Sequence, residues 1–178
     1  MNTSEWGPSA WDTIHTIVAN SSVDRIDPQS RENYFKYFDS LSSVLPCRYC
    51  RDSFCVFLHF FPLRSFCKKQ LDFSYWAYTI HCLVNEKLGK PNNVDFFFVV
   101  CKYEKLRVKN TDKTNTHPTR NECDEIISKY AQKIKYCRAR FGRYMDCCAG
   151  DDDDVCRRKA YGKLAAICRR RKEKRNLS

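Results

Sequence analysis

No stretch of this sequence stays apolar for the length of a membrane span. The densest stretches, near Phe54 to Leu63 and Val94 to Cys101, are far too short. The opening MNTSEWGPSAW has neither an apolar run nor a charged leading region, so export through a signal peptide is not expected. No internal repeat is visible. Against these absences stand 12 cysteines in 178 residues, too many for incidental core packing. In a reducing cytosol such a count points to zinc or redox chemistry, and in an oxidising compartment to disulfides. Disulfides without a secretion signal require a specialised setting. The mitochondrial intermembrane space is one, and a virus that oxidises its own thiols is another.

A second tight pair of metal ligands is also missing. Cys47 and Cys50, in the stretch LPCRYC, could hold zinc together with His59 and Cys67, but no further C-x-x-C or H-x-x-x-H follows. By itself the pair can hold a metal, close a structural staple or shuttle electrons.

What is present reads as a soluble globular protein of one or two domains, with 43% hydrophobic and 30% charged residues. The first hundred residues are helical in pattern. Trp11, Ile14, His15 and Val18 recur at helical spacing behind Ser9, and Tyr34, Phe38, Leu41 and Leu45 do so before Pro46. A new helix is expected from Cys47 through Phe54, Phe57 and Leu58 to Pro62. The next carries Phe73, Trp76, Ala77, Ile80, Val84 and Leu88 and stops at Gly89, with Pro91 beyond. Val94 to Leu106 is rich in Phe and Val, and periodicity leaves helix and strand both open. The division expected is a domain over residues 1–108, a polar linker over 109–120 and a basic, Cys-rich helical extension over 121–178.

In that extension Asn121 is a candidate cap for a helix that opens on Glu122, Asp124 and Glu125 and ends on Arg138, Arg140 and Arg143. After a break at Cys147 to Asp154, a second helix runs from aspartates to RRRKEKR. Both follow the dipole order, acid first and base last. Folding the two helices back on each other brings Cys147 (or Cys148) to Cys156 and Cys137 to Cys168. Two such bridges would staple a helical hairpin too small to bury its own core. The alternative is a basic helical tail with reduced thiols. The net charge of +11 is concentrated here. It suits contact with nucleic acid or an acidic surface, or simply a solvated helix face.

Three segments carry the chemistry: Trp6 to His15, Leu45 to Cys50, and Trp76 to Pro91. Trp11 and His15 share one helix face, and His81 and Asn85 share another. With Lys87 and Lys90 they suit a large, flat, phosphate-bearing ligand. Each residue also has a plainer reading, as core tryptophan, satisfied core histidine or solvated lysine.

Taken together, Trp11 to His15, Cys47 to Cys50 after Pro46, and Trp76, His81, Val84, Asn85, Leu88 and Lys90 resemble the Erv/ALR family of FAD-dependent sulfhydryl oxidases. The likeness covers roughly residues 5 to 105, and the compact WGPSAW opening is similar to the short viral members. It implies an all-α fold: a four-helix FAD-binding bundle plus a short fifth helix, followed here by the C-terminal cysteine-containing helical hairpin. It places Trp6, Gly7, Trp11, His15, Trp76, His81, Val84, Asn85, Lys87 and Lys90 around FAD. Tyr103 stands near the position of a late family tryptophan.

The resemblance also implies an enzyme that forms disulfides in thiol-containing protein substrates, usually as a homodimer, with no metal and no membrane contact. Electrons would pass from substrate dithiols through Cys47, the outer sulfur, and Cys50, beside the flavin, to FAD and then O2, giving H2O2. A thiolate is the nucleophile in such exchange, and a helix N-terminus at Cys47 favours it. A viral member would work in the host cytoplasm, the nucleus or the virion, and a cellular one in the mitochondrial intermembrane space.

Departures from the family pattern are specific. Cys82 replaces an asparagine after His81. No cysteine pair aligns with the family's structural disulfide; Cys55 and Cys67 either bridge or stay free. A shuttle pair would fall at Cys147 and Cys148 or involve Cys123, unless Cys47–Cys50 oxidises substrate directly. The alternatives to an oxidase are a catalytically silent Erv-like interaction protein and a zinc-binding protein, each with a basic nucleic-acid-binding tail.

Overall fold

The computed structural model describes residues 2–108, 117–145 and 154–176, and every regular element among them is helical. Helix α1 is Thr3–Ala19, α2 Pro28–Val44 and α3 Arg48–Phe60. A single 3-10 turn at Leu63–Ser65 leads to α4, Gln70–Lys87, and then to α5, Phe96–Val108. The extension contributes α6, Arg120–Met145, and α7, Asp154–Asn176.

Local chemistry explains the boundaries. α1 starts before Ser9 because Asn2 caps it, its Oδ1 accepting from the Ser4 N–H at 3.1 Å. Asp27 does the same for α2, ahead of Pro28 at the first helical position. α4 ends as the sequence predicts. Gly89 has φ +66, and Lys90 and Gly89 donate to the carbonyls of Asn85 and Glu86. The Val94 to Leu106 stretch resolves as helix, since Asp95 Oδ1 accepts from the Phe97 N–H at 2.8 Å and supplies a start.

The cap of α6 is Thr119 rather than Asn121. Thr119 Oγ1 accepts from the Glu122 N–H at 3.2 Å, while Glu122 Oε2 accepts from the Thr119 N–H at 2.7 Å. That reciprocal box was readable as T-x-x-E. Thr119→Ala is expected to lower stability by about 1 kcal/mol, read as a shift in the urea midpoint.

The described residues fall into two compact units. One comprises Asn2–Glu32 and Leu63–Gln132, with α1, α4 and α5 packed on one another. Its core holds Val18, Ile26, Phe66, Phe73, Trp76, Ala77, Ile80 and Phe96, all nearly or fully buried. The first half of α6 joins this unit. Lys129 donates to the buried Asp72 at 2.6 Å, and the Tyr130 ring lies 4.6 Å from that of Phe66. The other unit comprises Asn33–Pro62 and Lys133–Ser178, and there α7 packs along α3. Both extension helices therefore bury apolar side chains on helices from the first hundred residues, as expected of segments too small to bury a core of their own. The physical reason lies in α7. Tyr161, Leu164, Ala165 and Cys168 recur at helical spacing and are all buried, an apolar stripe inside a basic segment. Among the described residues, no helix is long and apolar enough to cross a membrane.

Candidate active site

α1, α4 and α5 bring four predicted side chains together. Trp11 and His81 stack face to face, with centroids 4.0 Å apart and planes 3° from parallel. His15 stacks on Tyr103 at 4.9 Å, and His15 Nε2 lies 3.2 Å from His81 Nδ1. At that distance one imidazole donates and the other accepts, so both are satisfied while neutral.

Their environment enforces neutrality. Burial, reinforced by the nearby His81 and Lys102, pushes the His15 imidazole down to about 3. Burial also lowers His81, to about 4, with Lys90 and Lys102 adding to it. Asp12 opposes both shifts. It is held below its ordinary range by hydrogen bonds from Lys102 Nζ at 2.8 Å and from the Tyr103 hydroxyl at 2.6 Å. Both imidazoles have folded-state values below the unfolded value of 6.5, so their contribution to stability is complete above pH 6.5. It is lost as pH falls, until the folded imidazoles themselves take up protons near 4 and 3. The free energy of unfolding is expected to fall between pH 7 and 4, by up to about 1.4 kcal/mol per pH unit for each imidazole, and the melting temperature with it. His15→Gln should flatten that profile in a thermal-shift series.

The remaining predicted residues on this side are placed as follows. Trp76 is fully buried, its ring against Phe73. Trp6 is half-buried, and its Nε1 is enclosed without a hydrogen-bond partner in the described structure. A Cβ on Gly7 would meet nothing within 4 Å. Val84 and Lys87 are half-buried and Lys90 is exposed. Asn85 Nδ2 donates to Asn92 Oδ1 at 3.2 Å, and Asn92 in turn donates to the Cys82 carbonyl at 3.4 Å.

The dithiol belongs to the other unit. Cys47 is the N-cap of α3, and its Sγ accepts from the Cys50 backbone N–H at 3.3 Å. The sequence expected a helix to begin here, and the helix begins with the sulfur itself as cap. Pro46 precedes it, and Arg51 donates to the Leu45 carbonyl at 2.6 Å, fixing the approach of the chain. Cys47 and Cys50 are half-buried, and Arg48 between them has its side chain 90% exposed. Sulfur at the positive end of a helix, partly open to solvent, suits thiol–disulfide exchange.

Cys55, Cys67, Cys101, Cys123, Cys137 and Cys168 are thiols in this structure. None of the candidate bridges between described residues, Cys137–Cys168 and Cys55–Cys67, is formed. Cys147 and Cys148, and with them the Cys147–Cys156 pairing, lie outside the described residues. Cys123 is fully buried, and burial pushes its thiol up to about 11, an environment unlike that of a solvent-reaching shuttle. Among the described residues, no three His, Cys, Asp or Glu side chains are grouped to hold a metal.

A family model matches residues 8–106, more than half of the chain, and that model is the Erv1 / Alr family. This chain belongs to the Erv1 / Alr family. The FAD-linked sulfhydryl oxidase ERV1 of rice is 32% identical over 87 residues, which are 49% of this chain and 43% of that protein. A probable FAD-linked sulfhydryl oxidase, R368, of Acanthamoeba polyphaga mimivirus is 26% identical over 91 residues, 51% of this chain and 63% of its own. The FAD-linked sulfhydryl oxidase of African swine fever virus is 31% identical over 87 residues, 48% of this chain and 69% of its own. The chain thus spans about two-fifths to two-thirds of these relatives. The fold is like that of the FAD binding domain of Erv1 from Saccharomyces cerevisiae. There the TM-score is 0.54 at 21% identity, over 59% of this chain and 96% of that one.

Within this Erv1 / Alr chain, sequence reasoning missed the acids. Asp12 directly follows Trp11 and orients Tyr103 and Lys102, and Glu104 directly follows Tyr103 and is 2% exposed. Asp52, 8% exposed on the dithiol helix, was missed as well. An isolated acid carries no periodic signal, so only its partners reveal it.

Proposed function

We propose that this chain is an FAD-linked sulfhydryl oxidase acting on dithiols of protein substrates. The observation that carries the reading is the Cys47–Cys50 pair set at a helix N-terminus, Sγ of Cys47 accepting the Cys50 N–H, in a chain of the Erv1 / Alr family. In the oxidised enzyme, a substrate thiolate attacks Cys47 Sγ. The Cys47–Cys50 bond breaks, a substrate–Cys47 disulfide forms, and Cys50 leaves as thiolate. The second substrate thiol then attacks the substrate sulfur. This releases a substrate disulfide and leaves Cys47 and Cys50 reduced, two electrons and two protons richer.

The residues of α1, α4 and α5 fit a flat, phosphate-bearing cofactor. They offer the parallel Trp11 and His81 rings, the unpartnered Trp6 Nε1–H, and Lys87 and Lys90 at the end of α4. Neutral His15 and His81 keep charge away from the ring faces. FAD held there would take the two electrons from the dithiol and pass them to O2, giving H2O2. Assembly as a homodimer, and contact of the basic extension with an acidic or nucleic-acid partner, belong to the same reading.

Purified protein is expected to be yellow, absorbing near ~450 nm, and to take up oxygen when dithiothreitol is added. A colourless protein that carries zinc would sink this reading.

A further inference from the structure

Helix α7 is fastened along α3 by contacts that repeat over several turns. The Arg158 guanidinium lies 5.1 Å above the ring of Tyr49, the residue beside Cys50, and the Tyr161 ring meets Tyr49 edge-on at 5.6 Å. Arg169 donates to Asp52 Oδ1 at 2.7 Å. A Cβ added at Gly162 would stand 3.8 Å from Asp52 Oδ2, ordinary van der Waals contact, so the α7 backbone passes close to the Asp52 carboxylate. One turn past Asp52 is Cys55, and its Sγ sits 4.0 Å from the Ala165 carbonyl oxygen. Three residues beyond Ala165, on the same buried face of α7, is Cys168, 5% exposed.

We propose that Cys55 and Cys168 form an intramolecular disulfide that fastens α7 to α3. Both side chains face the one helix–helix seam, at neighbouring levels, with the Asp52 and Arg169 pair beside them. After burial, which pushes the Cys168 thiol up to about 11, the Cys55 charge is the next influence upon it. The charges that act on Cys137 are those of Lys133 and Arg140, and Cys168 is not among them. The hairpin pairing Cys137–Cys168 is thereby replaced. The stripe packs along α3, and its Tyr161 also meets Phe141 of α6, with ring centroids 6.1 Å apart.

The oxidant is a small-molecule disulfide such as oxidised glutathione. Half-buried Cys55, as thiolate, attacks it, forming a mixed disulfide and releasing one thiol. Cys168 then attacks Cys55 Sγ, closing the bridge and releasing the second thiol. The two protein thiols lose two electrons and two protons, and the oxidant gains both.

The full chain is treated with oxidised glutathione, its free thiols are alkylated under denaturing conditions, and its peptides are mapped by mass. The expected result is a Cys55 peptide linked to a Cys168 peptide, with Cys137 alkylated. Cys168 linked to Cys137, Cys55 linked to Cys67, or both Cys55 and Cys168 alkylated overturns the proposal. Reduction should lower the melting temperature, and the long loop closed by this bridge accounts for about 10 °C of that drop. Cys168→Ser and Cys55→Ser should each remove that part of the drop, and Cys137→Ser should retain it. Loss of it in Cys137→Ser alone also overturns the proposal. No step depends on a bound flavin, so the map stands whether or not the protein is an oxidase.

Discussion

Cys50→Ser is expected to cut dithiothreitol-driven oxygen uptake about 10³-fold or more while the purified protein keeps its flavin colour. The loss follows from electron counting. A serine cannot close a disulfide with Cys47, so the pair can no longer accept the two electrons of a substrate dithiol and hand them on. The colour is expected to persist for a structural reason. The substitution leaves the Cys50 backbone N–H in place to cap against Cys47 Sγ, so α3 keeps its start. The ring cluster of Trp11, His15, His81 and Tyr103 comes from α1, α4 and α5 and contains no cysteine. Turnover that survives the change would show that Cys50 is not the required partner of Cys47. Loss of colour together with activity would make Cys50 part of cofactor retention.

The second large effect is structural. Glu104→Ala is expected to destabilise the protein by about 3–5 kcal/mol, because it removes a buried carboxylate that Arg107 and Gln70 both bond. Glu104 is 2% exposed, and the Arg107 side chain is only 12% exposed. Arg107 Nε donates to Glu104 Oε1 at 2.7 Å, and Gln70 Nε2 donates to Glu104 Oε2 at 3.2 Å. Gln70 also donates to the Ala19 carbonyl at the end of α1, so one carboxylate ties α5 to α4 and, through Gln70, to α1. Urea denaturation gives the number. A double change, Glu104→Leu with Arg107→Met, should recover much of the loss, since an apolar pair leaves no charge unmatched. If Glu104→Ala costs under about 1 kcal/mol, the carboxylate is worth no more than a surface ion pair.

Both expectations rest on features of unequal visibility in the sequence. The helices of the first hundred residues were legible because their faces repeat and their ends are marked, as at Gly89 with Pro91 and at Pro46. Trp11, His15 and His81 were legible as candidates because helical spacing put Trp11 with His15, and His81 with Asn85, on one face each. The fifth helix was implied by the family resemblance but left open by periodicity, because Phe and Val suit strand as well as helix, and its local signal is the single cap at Asp95. The placement of α7 was missed for a different reason. Tyr161, Leu164, Ala165 and Cys168 form a regular stripe, but arginines and lysines on either side dominate the local composition. The polar ties at Asp12, Asp52 and Glu104 are long-range pairings, and no local pattern marks which cation meets which acid.

The cap at Cys47 carries one more consequence. While Cys47 is a thiol or thiolate, its sulfur accepts the Cys50 N–H; once joined to Cys50, the same sulfur is a much poorer acceptor. Oxidation therefore uncaps α3 and reduction restores the cap, so the helix stabilises the reduced form. A hydrogen bond of about 1 kcal/mol corresponds to roughly 20 mV on a two-electron couple. The start of α3 makes the dithiol a stronger electron acceptor than an unconstrained pair, which is the direction a protein that withdraws electrons from other thiols requires.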